Sequence, residues 1–491
     1  MSGVRTAFLV AVAAFFPLRA QGGGFELPGT GTRAMGRGSA FTVGVDDLSA
    51  IALNPGGLLR LRGTSLLLSD NLIFSNLTFT RAASVIPQDP GVTPAGTNPL
   101  ATTKNTETVF PLGAMVALGS TFGLEDWSFA VGVFGPNAVG KVHFDPLAGA
   151  RYMLTDLDMV LIYYSAAVAY GKKDLYGVGL TLSLADLPKS KFGVVVDGGN
   201  NPSPNPYFNS FDLKSTLDLK YHSTFTAIVG GWWRVMPQLE LGLSGRVVPV
   251  ALHPKGKVRL DKIPGQLFAG NETAEVVLQG ADVALDLTLP VTANLGARYR
   301  YVKGDREVFD VELDAGYEAW SAVNAYDVKL DGSVRVTAKS GDGTVDLIPK
   351  TGVKSISIPK RWKDTMSVRL GGTWNAVKDL FSVSAGGFWE SGATPQNYSN
   401  VDFPSFMRFG AAGGVRFRFR GTELSASYMH VFQQDRSVDE SAAKVFQQRP
   451  LFPCPDNCTG KVDGVPANAG TFKAGYDQVQ LGVSLYFDEW F

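Results

Sequence analysis

What most constrains this chain is an alternation of period two, repeated in segment after segment. Beyond Phe406, the residues Met407, Phe409, Ala411, Val415, Phe417 and Phe419 fall on one face. Arg408, Arg416, Arg418 and Arg420 share the other face with Gly410, Ala412 and Gly414. A two-residue period belongs to a β-strand, whose side chains point alternately to opposite faces. Between Glu307 and Tyr317 the pattern returns with acids: Asp310, Glu312 and Asp314 stand opposite Phe309, Val311, Leu313 and Tyr317. The last segment places Val479, Leu481, Val483, Leu485 and Phe487 against Gln478, Gln480, Gly482, Ser484 and Tyr486. Strands that cross a membrane read this way, apolar toward lipid and polar toward the lumen, over ~10 residues. A soluble sandwich with one solvated face alternates equally well.

The N-terminus separates the two. Arg5 precedes an apolar run from Ala7 to Phe16, followed by Pro17, Leu18, Arg19 and Ala20. This is the pattern of a secretory signal, and the run is too short for a helical span, which needs ~20 residues. The expected leader is 1–20, with the mature chain starting near Gln21 or Gly22. No later segment offers 18 uninterrupted apolar residues. In lipid, only helices and closed barrels satisfy every backbone polar group. The expectation is therefore an all-β chain: a transmembrane antiparallel β-barrel of about 14 strands in the bacterial outer membrane. The balance of 45 basic and 45 acidic residues carries no basic stripe of the kind that nucleic acid needs.

Candidate strands begin near Thr64, Thr108, Asp126, Asp158, Asp174, Lys214, Gln238, Val283, Glu307, Asp364, Leu380, Phe406, Thr422 and Tyr476. Some connections are short, such as Gly171 to Asp174 and Val377 to Asp379. Others are long and polar: Thr80 to Glu107, Leu187 to Leu213, His253 to Asp282, Ser321 to Lys363, and Asp435 to Gly475. Short turns at one end and long loops at the other are the asymmetry of outer-membrane barrels. The block Gly24 to Leu61 is not strand-like. It is rich in Gly, Ala and Asp, and Asp46 to Ala52 reads as a short helix. The expected organisation is a leader over 1–20, a partly helical N-terminal hatch in the lumen over 21–61, and the barrel over 62–491.

In this block the chain resembles the FadL/TodX family of outer-membrane transport proteins. The matching residues are Gly24-Phe25-Glu26-Leu27-Pro28, Arg33-Ala34-Met35-Gly36-Arg37-Gly38, Asp46-Asp47-Leu48-Ser49-Ala50 and Asn54-Pro55-Gly56-Gly57-Leu58. The family usually reads Asn-Pro-Ala where this chain has Asn54-Pro55-Gly56. Further matches follow in order: Ala150-Arg151-Tyr152, Gly296-Ala297-Arg298-Tyr299, Glu318-Ala319-Trp320-Ser321 and Arg361-Trp362-Lys363-Asp364-Thr365. The resemblance covers essentially the whole mature chain. It implies passive uptake of hydrophobic compounds, such as long-chain fatty acids or aromatic hydrocarbons, past the hatch. It implies a substrate site at or beside the hatch residues Phe25, Leu27, Arg33, Arg37, Asn54 and Pro55. It also implies a kink in the third strand that lets substrate leave sideways, marked here by Gly132, Gly135 and Pro136. A plain strand end at Gly135 is the competing reading.

Other chemistry finds little footing. Gly135 to Lys141 nearly spells a phosphate loop, but Val142 stands where Ser or Thr must reach Mg²⁺. His143, His222, His253 and His430 are widely spaced, and no hydrolase motif appears. An enzyme is not expected, nor a cofactor, a metal site or a nucleic-acid partner. The expected partners are an apolar small molecule and the surrounding lipid, with the protein a monomer. Cys454 and Cys458 are expected to form a small loop disulfide in an oxidising compartment. A carboxylate-bearing substrate needs a cation at one end of an apolar groove. Arg33 and Arg37 are the hatch candidates, although Arg37 reads better as a bridge to acids on the barrel wall. Rival readings are a general porin, a surface adhesin or structural barrel, and a barrel enzyme without a visible nucleophile.

Overall fold

The computed structural model describes residues 24, 26–85, 102–107, 109–111, 114–136, 138, 140–197, 212–263, 275–352, 355–448 and 466–489. The expected leader, Phe25, and the Cys454 and Cys458 pair lie outside these residues.

Fourteen antiparallel strands close the wall. They are β1 (Thr64–Arg81), β2 (Met115–Ser120), β3 (Trp127–Phe134), β4 (Asp156–Lys172), β5 (Tyr176–Asp197), β6 (Asp212–Met236) and β7 (Leu239–Val248). Then follow β8 (Thr292–Lys303), β9 (Arg306–Glu318), β10 (Thr365–Val377), β11 (Phe381–Glu390), β12 (Arg408–Phe419), β13 (Thr422–Gln433) and β14 (Gly470–Tyr486). Each pairs with the next, and β14 pairs with β1 over Ser65↔Tyr486 to Arg81↔Gly470, so no edge is left open.

The alternation read from the sequence sets which side chains meet lipid. Phe409, Val415, Phe417 and Phe419 point outward, whereas Arg408 is buried inside. On β9, Val311 and Leu313 face out while Asp310, Glu312 and Asp314 are enclosed. Leu481 is 61% exposed on β14, while its neighbour Gln480 is 1% exposed. One end of the wall has connections of two to six residues. There Trp127, Tyr170, Trp233, Tyr299 and Trp374 are exposed, as an interfacial aromatic girdle requires. Trp127 and Tyr170 pack with ring centroids 4.7 Å apart.

At the other end the wall continues into an outer sheet. Lys255–Lys262 pairs with β6, and Glu275–Leu285 pairs with it and with Ala325–Ser340. Gly343–Gly352 and Ile356–Pro359 complete this sheet. Two expectations are corrected here. The eighth wall strand begins at Thr292, not near Val283, which belongs to the outer sheet. The stretches His253 to Asp282 and Ser321 to Lys363, expected as loops, hold these strands. Pro290 separates the two parts of the chain, because proline cannot donate to a ladder.

Candidate transport site: hatch, chambers and a broken strand

Residues 26–61 fill the lumen, with two short helices, α1 (Thr32–Gly36) and α2 (Ala50–Leu53), and a 3₁₀ turn at Pro55–Arg60. The sequence explains the local form. Small residues permit close approach, and Pro55 opens the 3₁₀ turn, where its missing N–H costs nothing. Asn54 is fully buried. Its Oδ1 accepts from the Gly56 N–H at 3.1 Å, and its Nδ2 donates to the carbonyls of Thr42 at 2.7 Å and Gly231 at 3.1 Å. One amide thus shapes the turn and ties it to β6.

The hatch is held mainly by β9. Arg37 donates through both terminal nitrogens to Asp310, at 2.8 and 2.7 Å, and to Glu312 at 3.2 Å. It also donates to Thr373 on β10 at 2.7 Å, while its Nε donates to the Ala40 carbonyl at 2.9 Å. Glu312 accepts the N–H groups of Val43 at 2.6 Å and Gly44 at 3.0 Å. Asp314 accepts the Thr42 N–H at 3.0 Å. Arg298 crosses from β8 to Asp310 at 2.8 Å and Glu240 at 3.2 Å. Arg60 reaches Glu240 at 2.9 Å and lies 4.0 Å from the Trp232 ring centroid. Buried charges persist when paired and hydrogen-bonded, and Asp310, Glu312 and Glu240 meet that condition through Arg37, Arg298 and Arg60. Arg33 stays within the hatch, pairing with Asp46 at 2.7 Å and Asp47 at 3.6 Å.

Glycines on the lumen face make room for the hatch backbone. A Cβ on Gly371 or Gly386 would stand 2.0 or 2.1 Å from the Arg37 carbonyl oxygen. Gly179 meets Pro55, and Gly177 meets Gly56, in the same way. Gly132 faces Ile51 of α2.

β3 breaks beyond Phe134. Its pairing with β4 ends at Phe134↔Tyr163 and resumes at Lys141↔Asp158. Six positions in sequence, 135 to 140, therefore separate the two paired stretches, against four on β4, 159 to 162. Ala138 in this surplus bridges to Glu26 at the start of the described hatch. Between the two paired stretches the chain touches the hatch through Ala138.

Two cavities flank these parts. The outer one lies under the outer sheet and is lined by Met153, Phe192, Leu217, Val258, Leu285 and Ile358 among others. Its charged lining residue is Asp402, paired with the buried Lys360, whose ammonium lies 4.8 Å from the Tyr326 ring centroid. Burial pushes the Lys360 pKa down despite the adjacent carboxylate. The inner chamber lies between hatch and wall. Leu27, Ala34 and Leu53 of the hatch, and Phe134, Gly135 and Pro136 of the broken strand, all line it.

Of the sequence-predicted residues, Leu27, Gly135 and Pro136 come together at this chamber. Asn54, Pro55 and Gly132 sit in the hatch–wall seam, and Arg37 and Arg33 are engaged in ion pairs away from the chamber lining. The sequence reading missed Glu240 and Trp232, and the glycine seats on β10 and β11. The charge alternation on β7 was the available signal for Glu240.

A closed fourteen-stranded barrel, plugged by its own N-terminal segment and belted with apolar and aromatic side chains, defines an outer-membrane transport barrel. The chain belongs to the family described as outer membrane protein transport protein (OMPP1/FadL/TodX), whose model matches residues 12–464. The fold is similar to a Pseudomonas aeruginosa FadL homologue, with 16% identity and TM-score 0.71, covering 95% of this chain and 100% of that one. It is also similar to the Pseudomonas putida toluene transporter TodX, with 14% identity and TM-score 0.57, covering 94% of this chain and 98% of that one. The Ralstonia pickettii toluene transporter TbuX matches with 11% identity and TM-score 0.59, covering 94% of this chain and 99% of that one. No curated protein matches this chain in sequence.

Proposed function

We propose that this protein carries hydrophobic small molecules, long-chain fatty acids or aromatic hydrocarbons, passively across the outer membrane. Cargo is captured in the outer apolar cavity, passes to the inner chamber beside the hatch, and leaves sideways through the break in β3. The observation that carries this reading is the lining of the inner chamber, to which the hatch and the broken strand both contribute. Just below the break, Val116, Val131, Val133, Tyr164 and Leu184 are exposed on the outer surface, so a molecule leaving there meets lipid. A general porin needs an open lumen, which the hatch occupies. TodX and TbuX, which share this fold, are toluene transporters, and this supports an apolar cargo. The route is downhill and needs one copy of the chain in lipid.

The test removes the surplus in β3. Deleting Gly135 and Pro136 leaves four residues opposite four and lets the ladder run on. Proteoliposomes carrying this variant should take up labelled oleate or toluene no faster than empty vesicles, while the wild-type protein does so at least ~10-fold faster, a difference of ~1.4 kcal/mol in barrier. Unchanged uptake by the deletion variant removes the sideways exit. A wild-type protein that equals empty vesicles for both compounds removes the transport reading itself.

A further inference from the structure

We infer that Arg369 is the binding residue for an anionic head group in the inner chamber, so that the cargo is a carboxylate-bearing apolar molecule rather than a neutral hydrocarbon. This rests on the inner chamber being the transport site proposed above.

Arg369 lies on the lumen face of β10 and lines the chamber. Six other lumenal arginines, Arg37, Arg60, Arg246, Arg298, Arg300 and Arg408, each have a carboxylate within 4 Å. Among the described residues Arg369 has none. Its Nη1 donates to Asn294 Oδ1 at 3.4 Å, a long contact, and its buried Nε has no hydrogen-bond partner. Its direct cross-strand neighbour is Asp314, but that carboxylate is turned to the Thr42 N–H of the hatch. The chamber's acids are committed too. Glu26 pairs with Arg246 at 3.3 Å, Glu390 with Arg408 at 2.9 Å, and Glu318 accepts the Trp320 indole N–H at 2.5 Å.

A partly buried guanidinium with no ion-paired carboxylate can take one from a ligand, and an anion reaching it from the chamber supplies that partner. Its planar fork matches the two oxygens of a carboxylate. The chamber's apolar wall completes the site. Leu27, Leu53, Phe134, Tyr163 and Ile228 offer a tail a path from β10 toward Gly135 and Pro136. Head at Arg369 and tail at the break is the orientation that lets the tail enter lipid first. Among the described residues that line the outer cavity the charged one is the acid Asp402, which makes it a seat for tails.

The experiment compares oleate with methyl oleate, which share a tail and differ in charge, on the detergent-purified full-length protein. The wild-type protein should bind oleate ~10- to 100-fold more tightly than the ester, the range expected for a charge-assisted hydrogen bond. Arg369→Met should erase that difference by weakening oleate alone, leaving the ester within ~2-fold. Arg369→Lys should keep part of it, because the charge remains without the fork. Equal wild-type affinity for the two probes overturns the inference, and this arm does not depend on any variant folding. Equal loss of both probes in Arg369→Met, with heat-modifiable migration intact, also overturns it by reducing Arg369 to a counter-charge for Asp314. Uptake of toluene and methyl oleate without oleate sinks the carboxylate assignment and leaves transport standing. Uptake of none of the three sinks both.

Discussion

Replacing Arg37 by alanine is expected to release the first half of the hatch while the barrel stays closed. Asp310, Glu312 and Asp314 stand on one face of β9, and Arg37 meets the first two directly. Removing one partner of a buried ion pair costs ~3–5 kcal/mol, because the other charge stays buried without compensation. Arg298 still reaches Asp310, and the Val43 and Gly44 amides still reach Glu312, so the acids lose part of their compensation and not all of it. The second half of the hatch keeps its own ties, through Asn54 to β6 and Arg60 to Glu240. The expected signature is therefore asymmetric. Protease should cut Arg37→Ala between residues 26 and 44 well before it cuts 45 to 61. Single-channel conductance in planar bilayers should rise from a near-closed level. Arg37→Lys should fall between, since a lysine keeps the charge and loses the two-pronged geometry. An Arg37→Ala protein with wild-type conductance and protection, and with heat-modifiable migration intact, would show that the hatch is held elsewhere.

Much of the architecture was legible because lipid forces it to be. A strand with lipid on one side and a polar lumen on the other must alternate, so β9, β12 and β14 announced themselves through Phe309 to Tyr317, Met407 to Phe419 and Gln478 to Phe487. The outer sheet escaped for the converse reason. Above the membrane, both faces of a strand tolerate charge. Lys255, Lys257 and Arg259 made a strand look like a loop, although Val258 and Leu260 alternate with them. The same ambiguity placed the eighth strand at Val283, since Glu275–Leu285 alternates as well as Thr292–Lys303 does. Within the site, the acids of β9 and the hatch arginines were visible as charges, but their pairing was not. Arg37 and Asp310 are far apart in sequence, and only barrel closure sets one over the other. Arg369 stood in plain view inside Arg369-Leu370-Gly371. Its significance comes from what does not pair with it, and no single sequence displays that.

The glycines of β10 and β11 give the sharpest expected contrast between two chemically identical changes. Gly386 faces inward, and a Cβ there would stand 2.1 Å from the Arg37 carbonyl oxygen and 2.3 Å from its carbonyl carbon. Both obstacles are backbone, so no rotamer change relieves them. Across the seam, Gly38 sits at φ +63, a conformation that suits glycine, and its own Cβ position is 2.3 Å from the Gly387 nitrogen. The hatch cannot slide away from a new side chain without losing the Arg37 fork as well. Gly413, on the neighbouring β12, faces the other way, and the nearest atom to a Cβ there is the Ser384 carbonyl oxygen at 3.8 Å. Gly386→Leu should therefore expel the hatch, at a cost beyond the ~1–3 kcal/mol of ordinary overpacking because it also breaks the buried ion pair. Gly413→Leu adds an apolar side chain to a surface that already faces lipid, and should be tolerated. The measurement is conductance and protease sensitivity of both variants, each checked for heat-modifiable migration. Equal behaviour of the two would mean that the lumenal glycines are not the seat of the hatch. A leaky Gly386→Leu beside a silent Gly413→Leu would show that shape holds the plug as firmly as charge does. The combined Arg37→Ala and Gly386→Leu protein should then leak no more than Gly386→Leu alone, because the steric change already removes the contact that the arginine makes.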